Sequence, residues 1–139
     1  ISWPALVLEC PPVNSAVRHS LARGELTVGT WASLGNTAAV ELLCDAGFDW
    51  VVVDREHSAL SYPQTEAMIR AIDGRGKAAL VRLSGHDPVE IKRVMDAGAH
   101  GVIVPMVNSR ADAERAVTAI LSQGVAAAMN ETNSQPPPS

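Results

Sequence analysis

The chain has 139 residues, 47% hydrophobic and 19% charged, enough for one buried core and too apolar to be disordered throughout. A formal charge of -4 gives no electrostatic footprint for nucleic acid or for an anionic membrane surface, so neither partner is expected. Two cysteines, Cys10 and Cys44, are too few for a secreted disulfide framework, no apolar run approaches the roughly 20 residues of a membrane span, and a cytoplasmic setting is expected.

Residues 1–14 contain three prolines, no periodicity and no basic segment of a signal peptide, and read as an irregular leader. Ser15 to Arg23 fits a short helix. From there apolar runs alternate with amphipathic segments. Strands are expected at Leu26–Trp31, Asp49–Asp54, Lys77–Leu83 and Gly101–Val107, and helices at Asn36–Ala46, Pro63–Asp73, Pro88–Ala97 and Arg110–Ser122. Asp87 is placed to cap the helix opened by Pro88, with Glu90 closing a reciprocal box, and Ser109 with Asp112 offers the same arrangement. Gly47 and Gly98 stand where left-handed helix ends belong. A faint repeat, Asp45-Ala-Gly before Val51-Val-Val and Asp96-Ala-Gly before Val102-Ile-Val, makes two βα pairs share one pattern. Beyond Ser122 the periodicity stops, and residues 123–139, ending in Asn, Ser, Thr, Gln and three consecutive prolines, read as a disordered tail.

Four consecutive βα units between residues 15 and 122 define one α/β domain. They fit either half of a (β/α)8 barrel, which needs about 250 residues, or a doubly wound open sheet. The length and the absence of an initiator Met lead to the expectation of a fragment.

The run Asp49-Trp-Val-Val-Val-Asp-Arg-Glu-His57 is the most informative stretch, because an apolar strand buried on both faces ends abruptly in ionisable residues. Both architectures keep their chemistry at the carboxyl ends of strands. Trp31 ends the first strand, Asp54 to His57 follow the second, Arg82 closes the third and Pro105 to Asn108 close the fourth, so all converge on one end. His57, with Asp54 three positions earlier, has the makings of a general base whose tautomer is fixed by a carboxylate. Arg82 suits a carboxylate or a developing oxyanion. Together they point to proton abstraction beside a carbonyl.

Gly29-Thr-Trp31, Ala46-Gly-Phe-Asp-Trp-Val-Val-Val-Asp54, Glu56-His57, Val81-Arg82, Asp87-Pro-Val-Glu-Ile-Lys92, Asp96-Ala-Gly98 and Val104-Pro-Met-Val107 resemble, in order, the amino-terminal half of the HpcH/HpaI aldolase family. The resemblance implies a (β/α)8 TIM barrel, here truncated to about four βα units. It also implies a class II aldolase, a carbon-carbon lyase dependent on Mg2+ or Mn2+. Such enzymes cleave or form 4-hydroxy-2-oxo acids through a pyruvate enolate, and relatives include citrate lyase β-like proteins and macrophomate synthase. Carried over residue by residue, His57 with Asp54 corresponds to the proton-transfer pair, Arg82 to the residue on the pyruvyl oxygen, and Trp31, Pro105 and Met106 to pocket positions. A small 2-oxo acid such as pyruvate or oxaloacetate is the implied ligand, and a homo-oligomer, trimeric or hexameric in the family, the implied assembly.

The chain departs from the family after the fourth helix, where Leu121-Ser-Gln-Gly leads into Val125-Ala-Ala-Ala-Met and the later strands carrying the Glu and Asp metal ligands do not follow. No metal ligand is therefore expected on this chain, and slight or absent activity follows from that. Two further functions stay open: an inactive half-barrel that pairs with itself or a relative, and a binder of small anions without turnover. Glu56 fits equally a loop charge or a contact to metal-bound water. Asp96 reads as structural or interfacial, His19, His86 and His100 as surface residues, Cys44 as a small core residue, and Arg110 with Glu114 as an exposed helix pair. Gly74-Arg-Gly-Lys77 is no phosphate loop, because it precedes a strand instead of following one.

Overall fold

A computed structural model describes residues 15–133, with side-chain surroundings for 16–122; the leader and the last residues of the expected tail lie outside the described residues. The elements in order are α1 (Ser15–Ala22), β1 (Gly29–Ala32), α2 (Thr37–Asp45), β2 (Trp50–Asp54), α3 (Tyr62–Gly74), β3 (Ala78–Arg82), α4 (Pro88–Asp96), β4 (Gly101–Ile103) and α5 (Arg110–Asn133). The strands form one parallel sheet in the order β1-β2-β3-β4, in register with Trp31 beside Val52, Asp54 beside Arg82, and Arg82 beside Ile103. This is the expected run of four βα units, each strand pairing with its sequence neighbour.

The helix starts are written in side chains. Asn36 accepts from the amides of Ala38 and Ala39 to open α2, and Ser61 and Gln64 form a full reciprocal box at α3. Asp87 caps α4 through the Val89 amide, but Glu90 does not close a box there, because its carboxylate is drawn inward to other partners described below. At α5 the Asp112 amide donates to the Ser109 hydroxyl, which donates back to the Asp112 carboxylate. Gly47 and Gly98 follow their helices with φ of 98° and 97°, the left-handed backbone expected of them.

The differences from the sequence reading lie at element ends. Leu26 is 88% exposed, so β1 begins only at Gly29, although the Val28 amide still donates to the Asp49 carboxylate at 2.8 Å. Strand β4 stops at Ile103, short of Val107, because Pro105 has no N–H for a ladder and Met106 adopts a left-handed φ of 50°. Helix α5 runs to Asn133, past Ser122 and through part of the segment read as a disordered tail. Its Val125-Ala-Ala-Ala-Met stretch lacks an amphipathic period but carries the residue with the highest intrinsic helix propensity.

Alternation along the strands sorts the interior into two faces. Val51, Val53, Ala79 and Val81 point toward the helices and pack with Val40, Cys44, Met68, Ile69, Ile72, Ile91 and Val94 into the core. The opposite face carries Trp31, Trp50, Val52, Asp54, Leu80 and Arg82. There a Cβ on Gly29 would fall inside the Trp50 indole, and one on Gly101 would sit 3.1 Å from Leu80, so small residues on the edge strands receive large ones from the centre. At the amino end of the sheet an apolar cleft of about 610 Å³ lies between α1 and the strands, lined among others by Val17, Leu21, Trp50, Leu80 and Ile120. Among the described residues no helix is long and apolar enough to cross a membrane.

Candidate functional site

Because Val51 and Val53 belong to the helix side, Asp54 falls on the other face at the carboxyl end of β2, and the register sets it beside Arg82 of β3. The two form a bidentate pair, Nε to Oδ1 at 2.9 Å and Nη2 to Oδ2 at 2.5 Å. Asp54 is only 4% exposed, and its Oδ1 also accepts from the backbone amides of Glu56 and His57 at 3.0 and 3.2 Å. The Ser58 hydroxyl donates to the Asp54 carbonyl, closing the turn. The Arg82 guanidinium, followed by the two amides, holds the Asp54 carboxyl below the usual carboxylate range against the opposing effect of burial. Arg82 is correspondingly raised, first by that same hydrogen bond.

Arg82 is enclosed on further sides. Its Nη1 lies 3.2 Å from Glu56 Oε2, and its guanidinium stacks 4.5 Å from the centroid of the Trp31 ring. Trp31, Asp54, Glu56 and Arg82 thus form one contiguous cluster in which two carboxylates face one guanidinium. A guanidinium has more N–H donors than these contacts use, and Trp31 is 46% exposed, so the cluster opens toward solvent on the indole side.

His57 does not pair with Asp54 through its ring, as the sequence spacing suggested. Its amide, not its imidazole, meets the Asp54 carboxylate, because a carboxylate at the head of a turn naturally accepts from amides two and three residues on. The imidazole stands outermost, its side chain 68% exposed, with Nε2 3.8 Å from Glu56 Oε2. Glu56, a loop residue with two readings in the sequence, is therefore the carboxylate placed between His57 and Arg82. Pro105 is buried and its carbonyl accepts from His86 Nε2 at 2.5 Å, while Met106 is 65% exposed in its left-handed conformation at the same end of the sheet. His86 is therefore engaged with the loop that follows β4, not an ordinary surface residue.

Two groups escaped the sequence reading. Arg55, between Asp54 and Glu56, points to the helix side, where its Nε donates to Glu90 Oε1 at 2.8 Å and its Nη1 to the Thr65 hydroxyl at 2.7 Å and the Leu60 carbonyl at 3.4 Å. Its guanidinium also lies 4.1 Å from the Tyr62 ring centroid. The signal was available: alternation turns residue 55 toward the buried face, and a charge there demands a partner. His100, expected on the surface, has a side chain only 10% exposed. Its Nδ1 accepts from the Ala79 amide at 2.8 Å and its Nε2 lies 3.2 Å from Asp73 Oδ1, which joins β3 to the end of α3.

The chemistry of the donor set does not fit a resident divalent cation. Both Asp54 oxygens are committed to Arg82, Glu56 Oε2 lies against the same guanidinium, and among the described residues no group of three His, Cys, Asp or Glu side chains is placed to hold a metal ion.

Comparison with known proteins places these features. The family model described as HpcH/HpaI aldolase/citrate lyase matches residues 27–134. The chain is 37% identical over 107 residues to a 4-hydroxy-2-oxo-heptane-1,7-dioate aldolase of Klebsiella pneumoniae, covering 77% of this chain and 40% of that protein. It is 38% identical over 109 residues to a 4-hydroxy-2-oxovalerate aldolase of Novosphingobium aromaticivorans, covering 78% of this chain and 41% of that protein. Among solved structures, an HpcH/HpaI aldolase from Desulfitobacterium hafniense superposes with a TM-score of 0.70 at 28% identity, over 75% of this chain and 40% of that one. The chain spans about 40% of the length of the curated relatives it matches.

Proposed function

The chain belongs to the HpcH/HpaI aldolase/citrate lyase family, and from that premise we propose that it carries the pyruvate-handling part of a carbon-carbon lyase acting on 4-hydroxy-2-oxo acids. Its four βα units correspond to part of a (β/α)8 barrel, and the site stands at the carboxyl end of the strands, where such barrels keep their chemistry. Relatives named as aldolases of 4-hydroxy-2-oxo acids support the substrate class.

Retro-aldol cleavage requires a base to take the 4-hydroxyl proton, the bond between C3 and C4 to break with release of an aldehyde, and the electron pair to pass to the C2 oxygen as an enolate. The guanidinium of Arg82 is the group for that oxygen. Asp54 fixes it in a bidentate grip, Trp31 forms a wall beside it, and donors remain for a ligand. Because the charge on the oxygen grows along the reaction, a pre-oriented guanidinium stabilises the transition state more than the ground state. His57, exposed and adjacent to Glu56, is the group to carry the proton. A divalent cation is the family's means of polarising the 2-oxo acid, and the described residues supply no set of ligands for it. The free, buried Cys44 thiol accords with a reducing cytoplasm as the setting.

The observation that carries this reading is the Trp31–Arg82–Asp54 cluster. Its test is a lactate dehydrogenase-coupled assay of pyruvate release from 4-hydroxy-2-oxo acids, run with manganese or magnesium and again with EDTA. Whatever release the parent gives, slight as the missing metal ligands make it, is expected to fall by about 10²-fold or more in Arg82→Ala; equal release from both would remove Arg82 from the site. The metal-poor donor set favours a second reading, in which the chain binds small anions or pairs with another copy without turnover. Saturable oxaloacetate binding with no pyruvate release, or a defined dimer in light scattering, would decide for it.

A further inference from the structure

Behind the candidate site, on the helix side of the sheet, Glu90 of α4 is 3% exposed and uses both carboxylate oxygens. One accepts from Arg55 Nε at 2.8 Å; the other accepts from the amide and hydroxyl of Ser84 at 3.1 and 2.7 Å. Arg55 begins the loop that carries Glu56 and His57, and Ser84 lies two residues beyond Arg82. A single buried carboxylate therefore bridges the two loops from which the candidate site is built. Arg55 tightens its own loop as well. It reaches forward to the Leu60 carbonyl and the Thr65 hydroxyl, and its backbone amide donates to the Arg82 carbonyl at 2.9 Å.

We infer that Glu90, acting through Arg55 and Ser84, is a positioning residue that fixes where Glu56 and His57 stand relative to the Arg82 guanidinium. This deepens the function proposed above and rests on the reading of Arg82 and His57 as the groups that handle the 2-oxo acid. The physical basis is a difference between burial and specificity. A buried ion pair contributes little net stability compared with apolar or neutral groups of the same size, yet it tolerates few geometries. Its fork of donors reaches three separate pieces of chain, namely α4, the end of the β2–α3 loop and the first turn of α3, so loop and helices cannot move independently while it is intact. Sequence alternation makes the arrangement work: Asp54 and Arg55 leave the same strand end toward opposite faces, one into the site and the other into the anchor.

The test uses the whole 139-residue chain, ¹⁵N-labelled, in three forms: parent, Glu90→Gln, and Arg55→Met/Glu90→Gln. The single variant leaves a buried guanidinium without its counter-charge and is expected to lower the urea midpoint. The double variant removes both charges, keeps an acceptor for Ser84, and is expected to recover most of that loss. If the clamp positions the site, the Glu56 and His57 amides, which report the turn around Asp54, exchange roughly tenfold or more faster in the double variant, while the core amides of Val52 and Val53 keep parental protection. In an active parent the same variant lowers kcat for pyruvate release with KM little changed. Parental exchange at Glu56 and His57 in a stable double variant would overturn the inference. Should the double variant not fold, Arg55→Lys retains the charge but not the fork; accelerated exchange at the two amides supports the clamp and parental exchange overturns it. A parent that releases no pyruvate counts against the proposed function alone, since the exchange readout needs no turnover.

Discussion

Asp54 concentrates the physical tension of the site. It is almost fully buried, yet its carboxyl is held below the ordinary 3.8 because Arg82 and two amides bond its charged form. A carboxyl depressed in the folded state contributes stability at pH values above its unfolded pKa, and that contribution disappears as pH falls through the folded value. The chain should therefore lose stability as pH drops below about 4, and Asp54→Asn should show a shallower acid dependence. At neutral pH the same substitution is expected to cost about 2 kcal/mol, the scale of a hydrogen bond to a charged group, checked by urea unfolding across a pH series. Cys44, buried and raised by that burial, should resist a thiol reagent in a Cys10→Ser background until the chain unfolds. At this scale the convergence of Asp54 and Arg82 on one end of the sheet was legible, because both close strands; their pairing with each other was not, because it depends on the register between β2 and β3. It was not legible for His57, because a spacing of three residues does not say whether a carboxylate takes the ring or the amide. Nor does it show that Glu56 would stand between the imidazole and Arg82.

The elements repeat the lesson in their ends. Strand centres and helix bodies follow from periodicity, since a buried parallel sheet needs uninterrupted apolar runs. Their limits depend on single groups: the missing N–H of Pro105, the left-handed Met106, and the exposure of Leu26. Glu90 shows how a local rule loses to a tertiary one. Its position matches a capping box, but a buried guanidinium nearby offers more than an exposed helix amide. The edge strand β1 supplies a direct test of packing, because Gly29 lies where the Trp50 indole crosses the sheet. Gly29→Ala should destabilise the chain by about 1–3 kcal/mol, the usual cost of overpacking. In a Trp50→Leu background that penalty should shrink, and a double-mutant cycle by denaturant unfolding measures the difference.

For the whole molecule, the sheet has a sealed face and a more open one. Helices α2 to α4 seal one side, whereas Trp31, Leu80 and Ile103 on the other remain partly accessible, and among the described residues β1 and β4 each pair with a single neighbour. Unpaired strand edges beside apolar surface favour association. The 139-residue chain is accordingly expected to associate with rising concentration, which light scattering across a dilution series would register; a monomer at every concentration would show that the open face is satisfied within the chain. The number and order of βα units were legible from the alternation of patterns. The shape they enclose was not, because four such units suit an open sheet and part of a barrel equally, and only the shared motifs separated the two.

The plain order of the sheet, β1-β2-β3-β4, bears on how the chain is made. Among the described residues each strand pairs with its neighbours in sequence, so each βα unit can dock on the one before it, and the loop-closure entropy of each step is that of a single helix crossover. Assembly should run from the amino end like a zip fastener, and truncations after α3 or α4 would then retain progressively more protected structure in pulse-labelled nascent chains.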